Sequence, residues 1–201
     1  MPYSVKHSLL LLLLLVCLPA WADGIQVKTA ALRLTEGGYA LDADFDISIN
    51  PTLEEALNKG VALYFVGEFE LVRSRWYWPD EKVIETQHQI KLTYNALTQQ
   101  YRLGFDSLFQ NFATLHEAVA VLSNWRERQV GGKEAFQQSG IYATMLHYMD
   151  KGLLWQKGVE YQAALRLRLD VSQLPKPFQI NALASREWDL DSDWFRWSVV
   201  P

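Results

Sequence analysis

Asp189-Leu-Asp-Ser-Asp193 sets three carboxylates at alternate positions, the opening of a loop in which hard oxygens surround a hard cation such as calcium. The rest of that loop is missing. Trp194 stands where the glycine belongs and Val200 where the bidentate glutamate belongs, so the stretch reads as a solvated acidic turn, and no metal or other cofactor is expected. Asp42, Asp44 and Asp46 repeat the alternation, and such a row on one face of a strand reads as a wet, solubilising surface. Beyond His7, the histidines available for acid-base work or metal binding are His88, His116 and His147, and no His-x-Glu, Glu-x-x-His or paired-histidine spacing joins them. There is no Gly-x-Ser-x-Gly elbow and no phosphate-cradling glycine loop. A hydrolase would need its serine, histidine and acid brought together in space, which spacing along the chain does not reveal. No catalytic residue is assigned, and the chain is read as a non-enzyme.

The chemical excess is aromatic, with eight tryptophans in the chain. Trp76-Tyr77-Trp78 puts large rings on both faces of one strand, so at least one of them looks away from a core. Trp188, Trp194 and Trp197 sit in the tail among Glu187, Asp189, Asp191 and Asp193. A flat ring can grip a sugar or a peptide, and a β-rich core without disulfides also needs large anchors. Both roles stand open for these six residues, which are the candidate partner- or ligand-binding set. Arg73 and Arg75 are expected to pair with Glu68, Glu70 or the aspartate face.

These groups must be held by strands. Tyr39, Leu41, Ala43, Phe45, Ile47 and Ile49 alternate with polar residues, and with Ile25 to Leu34 and the turn Thr35-Glu-Gly-Gly38 they predict a β-hairpin over 25–49. Asn50-Pro51-Thr52-Leu-Glu-Glu55 predicts a helix start, with a capping box from Thr52 to Glu55 and Gly60 as the stop. A meander follows: a strand from Val61 to about Trp78, a turn at Pro79-Asp80, a strand over Lys82 to Tyr94, a turn over Asn95 to Gln99, and a strand over Gln100 to Phe105. Thr114-Leu-His-Glu117 repeats the capping box, and Leu115, Val119, Leu122 and Trp125 predict a helix over 114–126. Arg126 to Lys133 reads as a mobile loop. Gly140 to Met149 suits a strand better than a helix, and Val159 to Val171 alternates clearly until Leu174-Pro-Lys-Pro177 ends it. The tail from Phe178 is expected to close irregularly over the sheet. The predicted fold is mainly β, an antiparallel sandwich or open barrel with two short helices.

Residues 8–22, an apolar run behind Lys6 and ahead of Ala20-Trp-Ala22, read as a secretory signal. The run is far shorter than the ~20 residues that span a bilayer. Cleavage after Ala22 would leave a single β-rich domain over 23–201, without a thiol because Cys17 goes with the signal, in the periplasm or outside the cell. The formal charge of -4 argues against nucleic acid and against anionic lipid as partners, and no second apolar run would hold the processed chain in a membrane.

Tyr161-Gln-Ala-Ala-Leu-Arg-Leu-Arg-Leu-Asp170, then Leu174-Pro-Lys-Pro-Phe-Gln179, Ser185-Arg-Glu-Trp188 and Ser192-Asp-Trp194, resemble an uncharacterised family of exported proteobacterial proteins, domain of unknown function 4390. The first hairpin, Asn50-Pro51, Trp76-Tyr77-Trp78 and Asn124-Trp125-Arg126 extend the resemblance over nearly all of the chain after the signal. Gly132 to Gly158 is longer than the family pattern leads one to expect. The resemblance implies export, a β-rich domain and genes lying near a membrane sensor kinase, and it brings no site residue. The reading that follows is an interaction or binding module of the cell envelope, accessory to such a sensor, touched through a sheet edge or the tryptophan-rich tail. The alternative is a carbohydrate- or envelope-polymer-binding module using the exposed rings.

Overall fold

Alternation of apolar and polar side chains carries most of this chain into strands. The computed structural model describes residues 24–35, 38–73, 81–105, 108–132 and 161–199. The signal segment, Trp76-Tyr77-Trp78 with Arg75, and the strand expected over Gly140 to Met149 with His147 lie outside the described residues.

The hairpin forms as expected, from β1 (Ile25–Thr35) and β2 (Gly38–Ile47). Val27 faces Phe45 but Thr29 faces Asp44, so Lys28 is an extra residue. That bulge switches the inward parity of β1 from Ile25 and Val27 to Ala30 and Leu32, and it keeps apolar residues opposite Ile47, Phe45, Ala43 and Leu41. Helix α1 (Pro51–Asn58) starts at Asn50, whose side chain accepts the Leu53 N–H at 3.0 Å. Thr52 is therefore not the cap. Its hydroxyl donates instead to Glu187 at 2.9 Å, because the tail lies against the start of this helix. Gly60, at φ 85°, turns the chain out of the helix in a conformation open to glycine.

Strands β3 (Leu63–Arg73), β4 (Glu81–Asn95) and β5 (Gln100–Phe105) make the expected meander. A further strand, β6 (Leu108–Phe112), was not foreseen: its side chains are nearly all exposed, so it shows no in-and-out contrast to read. Helix α2 (Leu115–Leu122) is capped by Thr114, which accepts the Glu117 N–H at 3.2 Å. It ends earlier than expected. Residues 124–132 are strand β7 (Asn124–Gly132), neither helix nor loop, paired with β2. Two register shifts in this pairing break the period of two, which is why the strand was hidden. Strand β8 (Tyr161–Leu169) follows as expected.

The tail is more regular than its composition suggested. A 3-10 turn over Val171–Gln173 leads to a third helix, α3 (Lys176–Ala184), then to a 3-10 turn over Arg186–Trp188 and to strand β9 (Phe195–Val199). Leu174-Pro-Lys-Pro177 is thus a helix start as well as a strand stop, with proline tolerated in the first turn. The helix was hidden because none of its residues is buried, so it has no apolar stripe.

Two antiparallel sheets result, β1-β2-β7 and β6-β5-β4-β3-β8-β9, and no closed barrel forms among the described residues. The layers share one core, with Leu41, Phe45, Phe65, Phe69, Ile90, Leu92, Leu165 and Leu167 inside it. The fold is a β-sandwich in kind, with three helices among the described residues where two were expected. Among the described residues no helix is long and apolar enough to cross a membrane.

Trp125 of β7 joins the layers. It is 2% exposed, meets Phe45 edge-on at 5.0 Å between centroids, and donates its indole N–H to the Leu122 carbonyl at 2.9 Å. Its six-membered ring lies on Gly67 of β3, where a Cβ would come within 2.0 Å of the indole Cη2. Gly67→Ala is therefore expected to cost about 1–3 kcal/mol by overpacking. Most of that cost should vanish in a Trp125→Ala background, itself destabilised by about 3–5 kcal/mol. Urea unfolding of the four proteins measures the coupling, and equal costs of Gly67→Ala in both backgrounds would refute this contact.

Candidate functional site

The outer face of β8 presents Arg166 and Arg168 toward the returning tail. Arg166 makes a bidentate pair with Asp191, through Nε at 2.8 Å and through Nη2, and Trp194 flanks its guanidinium at 5.9 Å. Glu68 on β3 accepts from Arg168 at 3.1 Å and lies 3.9 Å from Arg166. Glu68 is thus shared by the β8 arginines, and Glu70 pairs with Lys82 at 2.8 Å. The tail backbone follows the same strand: Leu169 N–H donates to Leu190 O at 2.8 Å and Ser192 N–H to Leu167 O at 3.0 Å. Asp191 faces Arg168 and Phe195 faces Leu165, so four steps along the tail cover three along β8. The extra residue is taken up around Asp193, at φ 54°.

Asp191 is committed to Arg166, and among the described residues no group of three His, Cys, Asp or Glu could hold an ion. Burial by itself would raise the Asp191 carboxyl. The Arg166 hydrogen bonds, the Asp193 N–H and the charges of Arg166 and Arg168 outweigh it and hold the group below the ordinary carboxylate value. Asp42, Asp44 and Asp46 are likewise partnered across strands, by Arg33, by Arg126 at 2.8 Å and by Lys28 at 3.0 Å. Hydrogen bonds from Thr29 and then Arg126 lower the Asp44 carboxyl.

The candidate aromatic residues separate. Trp188 is 4% exposed and packs against Phe178 at 5.8 Å, so it is an anchor of the tail and has no face for a ligand. Trp197 is half-buried between Phe69 and Phe195, and Trp194 is half-buried beside Arg166. The histidines do not converge either: His88 is half-buried on β4 opposite Gly67, and His116 is exposed in the first turn of α2.

What the tail does create is an open groove of about 550 Å³ between β8 and α3. Arg166, Arg168, Arg186, Glu68, Asp189 and Asp191 line it with an apolar wall that includes Val171, Ala182 and Leu183. Formal charges balance within it, and no histidine lines it. Above the groove α3 turns Ile180 and Leu183 outward, 69% and 86% exposed, one helical turn apart. Nothing in the sequence pattern marked this surface, since two exposed apolar residues in a short segment match no template.

These elements define a two-layer antiparallel β-sandwich whose C-terminal tail is strapped over one edge by an arginine–aspartate clamp. Over residues 22–198 the chain matches the family described as Domain of unknown function (DUF4390), and it belongs to that family. No curated protein and no solved structure matches it. The motifs that carry the family resemblance coincide with the strap: Ser185 accepts the Glu187 N–H at 3.3 Å, Ser192 accepts the Leu167 N–H at 2.9 Å, and Arg166 holds Asp191.

A carboxyl whose folded pKa is lowered contributes stability that is present above its unfolded value, about 3.9, and that is lost as pH falls through the folded value. Asp191→Asn is expected to cost about 1–3 kcal/mol at pH 7, the range for hydrogen bonds to charged groups. The gap between the two proteins should begin to narrow as pH falls below about 4 and should close only below the lowered folded value. Urea midpoints at pH 7 and pH 3 test both statements, and a gap as wide at pH 3 as at pH 7 would remove the carboxylate from the explanation.

Proposed function

We propose that the chain is an exported, non-enzymatic interaction module of the cell envelope, and that its partner is a protein held on α3 and the groove beneath it. The carrying observation is the outward pair Ile180 and Leu183. A helix of this length is marginal in water on its own, and this one has no fully buried residue, is held chiefly by Phe178 on Trp188, has no side-chain N-cap and still turns large apolar groups to solvent. A protein surface that covers Leu183 would gain its burial, while the adjoining Arg186 and Asp189 offer one charge of each sign for orientation. The partner class suggested by the family resemblance is a membrane sensor kinase. A carbohydrate or envelope-polymer platform has less support, because Trp188 is inside and Trp197 is packed among rings.

The periplasmic or secreted location belongs to the same reading: protein recovered from the periplasm should begin at Asp23 on N-terminal sequencing, and uncut protein in the inner membrane would contradict it. For the surface, a photo-crosslinker at position 183 should trap a defined envelope protein, whereas one at the equally exposed Leu97 should not. Leu183→Asp should weaken that capture at least tenfold without shifting the urea midpoint by more than about 0.5 kcal/mol, as befits an exposed site. Equal capture from both positions, or by both proteins, would refute the surface.

A further inference from the structure

At the opposite edge of the larger sheet, no further strand pairs with β6 among the described residues. Each outer strand of the two sheets carries charge except one: β1 has Lys28 and Arg33, β7 has Arg126, Glu127 and Arg128, and β9 has Arg196. Strand β6, Leu108-Phe-Gln-Asn-Phe112, has no charged residue, no proline and no register shift against β5. Charges, prolines and bulges are the devices by which free edges avoid pairing with other chains. Leu108 is 74% and Phe109 65% exposed. The flanking Arg102 is drawn back onto its own sheet, donating to Asn111 at 2.9 Å and covering the Phe109 ring at 4.7 Å, so it does not project past the edge as a guard.

The order of residues fits one occupant. An antiparallel two-fold pairing sets residue i against j and j against i, so the central residue meets its own copy and is best uncharged. With full overlap of β6 on its copy, that residue is Gln110, whose amide both donates and accepts and so complements itself. Leu108 then faces Phe112 of the second copy, and Phe112 faces the second Leu108, on the side where Leu103 and Phe105 of β5 already lie. Phe109 faces Asn111 on the other side. Apolar thus meets apolar on the core side, and no like charges oppose one another. We propose that the chain forms a two-fold symmetric dimer in which β6 pairs antiparallel with β6 of a second copy and the two larger sheets become continuous. The proposal is independent of the α3 surface, which lies at the other edge of the same sheet.

Processing after Ala22 leaves no cysteine, because Cys17 is the single one in the sequence, so an introduced thiol is a clean reporter. In the processed protein, Gln110→Cys should oxidise to a disulfide-linked dimer, since residues paired directly across antiparallel strands lie about 4.5–5.5 Å apart at Cα. Leu97→Cys, fully exposed on the β4–β5 turn, should stay monomeric on denaturing gels. Sedimentation velocity of the cysteine-free protein should show a reversible dimer at tens of micromolar, within the concentration range of moderate interfaces. Gln110→Lys, which sets two like charges on the axis, should raise the dissociation constant at least tenfold, and Leu97→Lys should leave it unchanged. A wild-type monomer up to 200 micromolar, open-ended aggregates in place of a closed dimer, equal disulfide yields at positions 97 and 110, or an undisturbed Gln110→Lys dimer would each overturn the proposal.

Discussion

Trp125 on Gly67 is the contact on which the two layers depend. A sandwich needs some side chain to fill the space between sheets near their middle, and an indole achieves this with the least loss of rotamer freedom per unit of buried area. The larger sheet must then yield room, and only a residue without a Cβ gives the ring a flat seat in the centre of a strand. Gly67 lies between His88 and Leu167 in the register of β3, so the seat is in the interior of the sheet, where glycine is otherwise a liability. Its presence there is explained by the ring it receives. The indole N–H, which would be costly to bury alone, is satisfied by the last turn of α2. One residue therefore fixes the spacing of the layers, the end of a helix and the start of β7.

The tail adds a second constraint, electrostatic in kind. Arg166 and Arg168 stand on the solvent side of β8, where two neighbouring cations on one face would repel. Glu68 from the adjacent strand and Asp191 from the tail resolve this by sharing the two guanidinium groups. The same pairing determines where the chain lies after α3, and Glu187 ties the 3-10 turn to Asn50 and Thr52 at the start of α1. Asp191 and the β8 arginines thus act as fasteners. The surface they leave over, the groove under α3, is a by-product of strapping a helix across a sheet edge.

The two edges of the larger sheet face different problems. At β9 the edge carries Arg196, which blunts pairing by another strand, and the chain leading into it takes up an extra residue around Asp193. At β6 the strand is regular and uncharged. Free edges of the second kind persist when they are used, and apart from Leu97 in the β4–β5 turn, the large exposed apolar residues among the described ones lie on β6 and on α3.

Alternation alone determined the hairpin, the meander and β8, because each has one face in the core and one in water and so writes its position with a period of two. Thr114 and Glu117 likewise announced the start of α2. Elements with no such contrast had to wait for the tertiary structure: β6 and α3 bury almost nothing, and β7 loses its period at two register shifts. The binding role of the tail tryptophans was equally undecidable from the chain, since a ring in a core and a ring on a surface are the same residue until packing chooses. Packing put Trp188 beneath Phe178, and it brought Asp191 to Arg166 from 25 residues away. Sequence fixes which face of an element must be dry, while only the folded arrangement decides which charges meet and which apolar groups are left over.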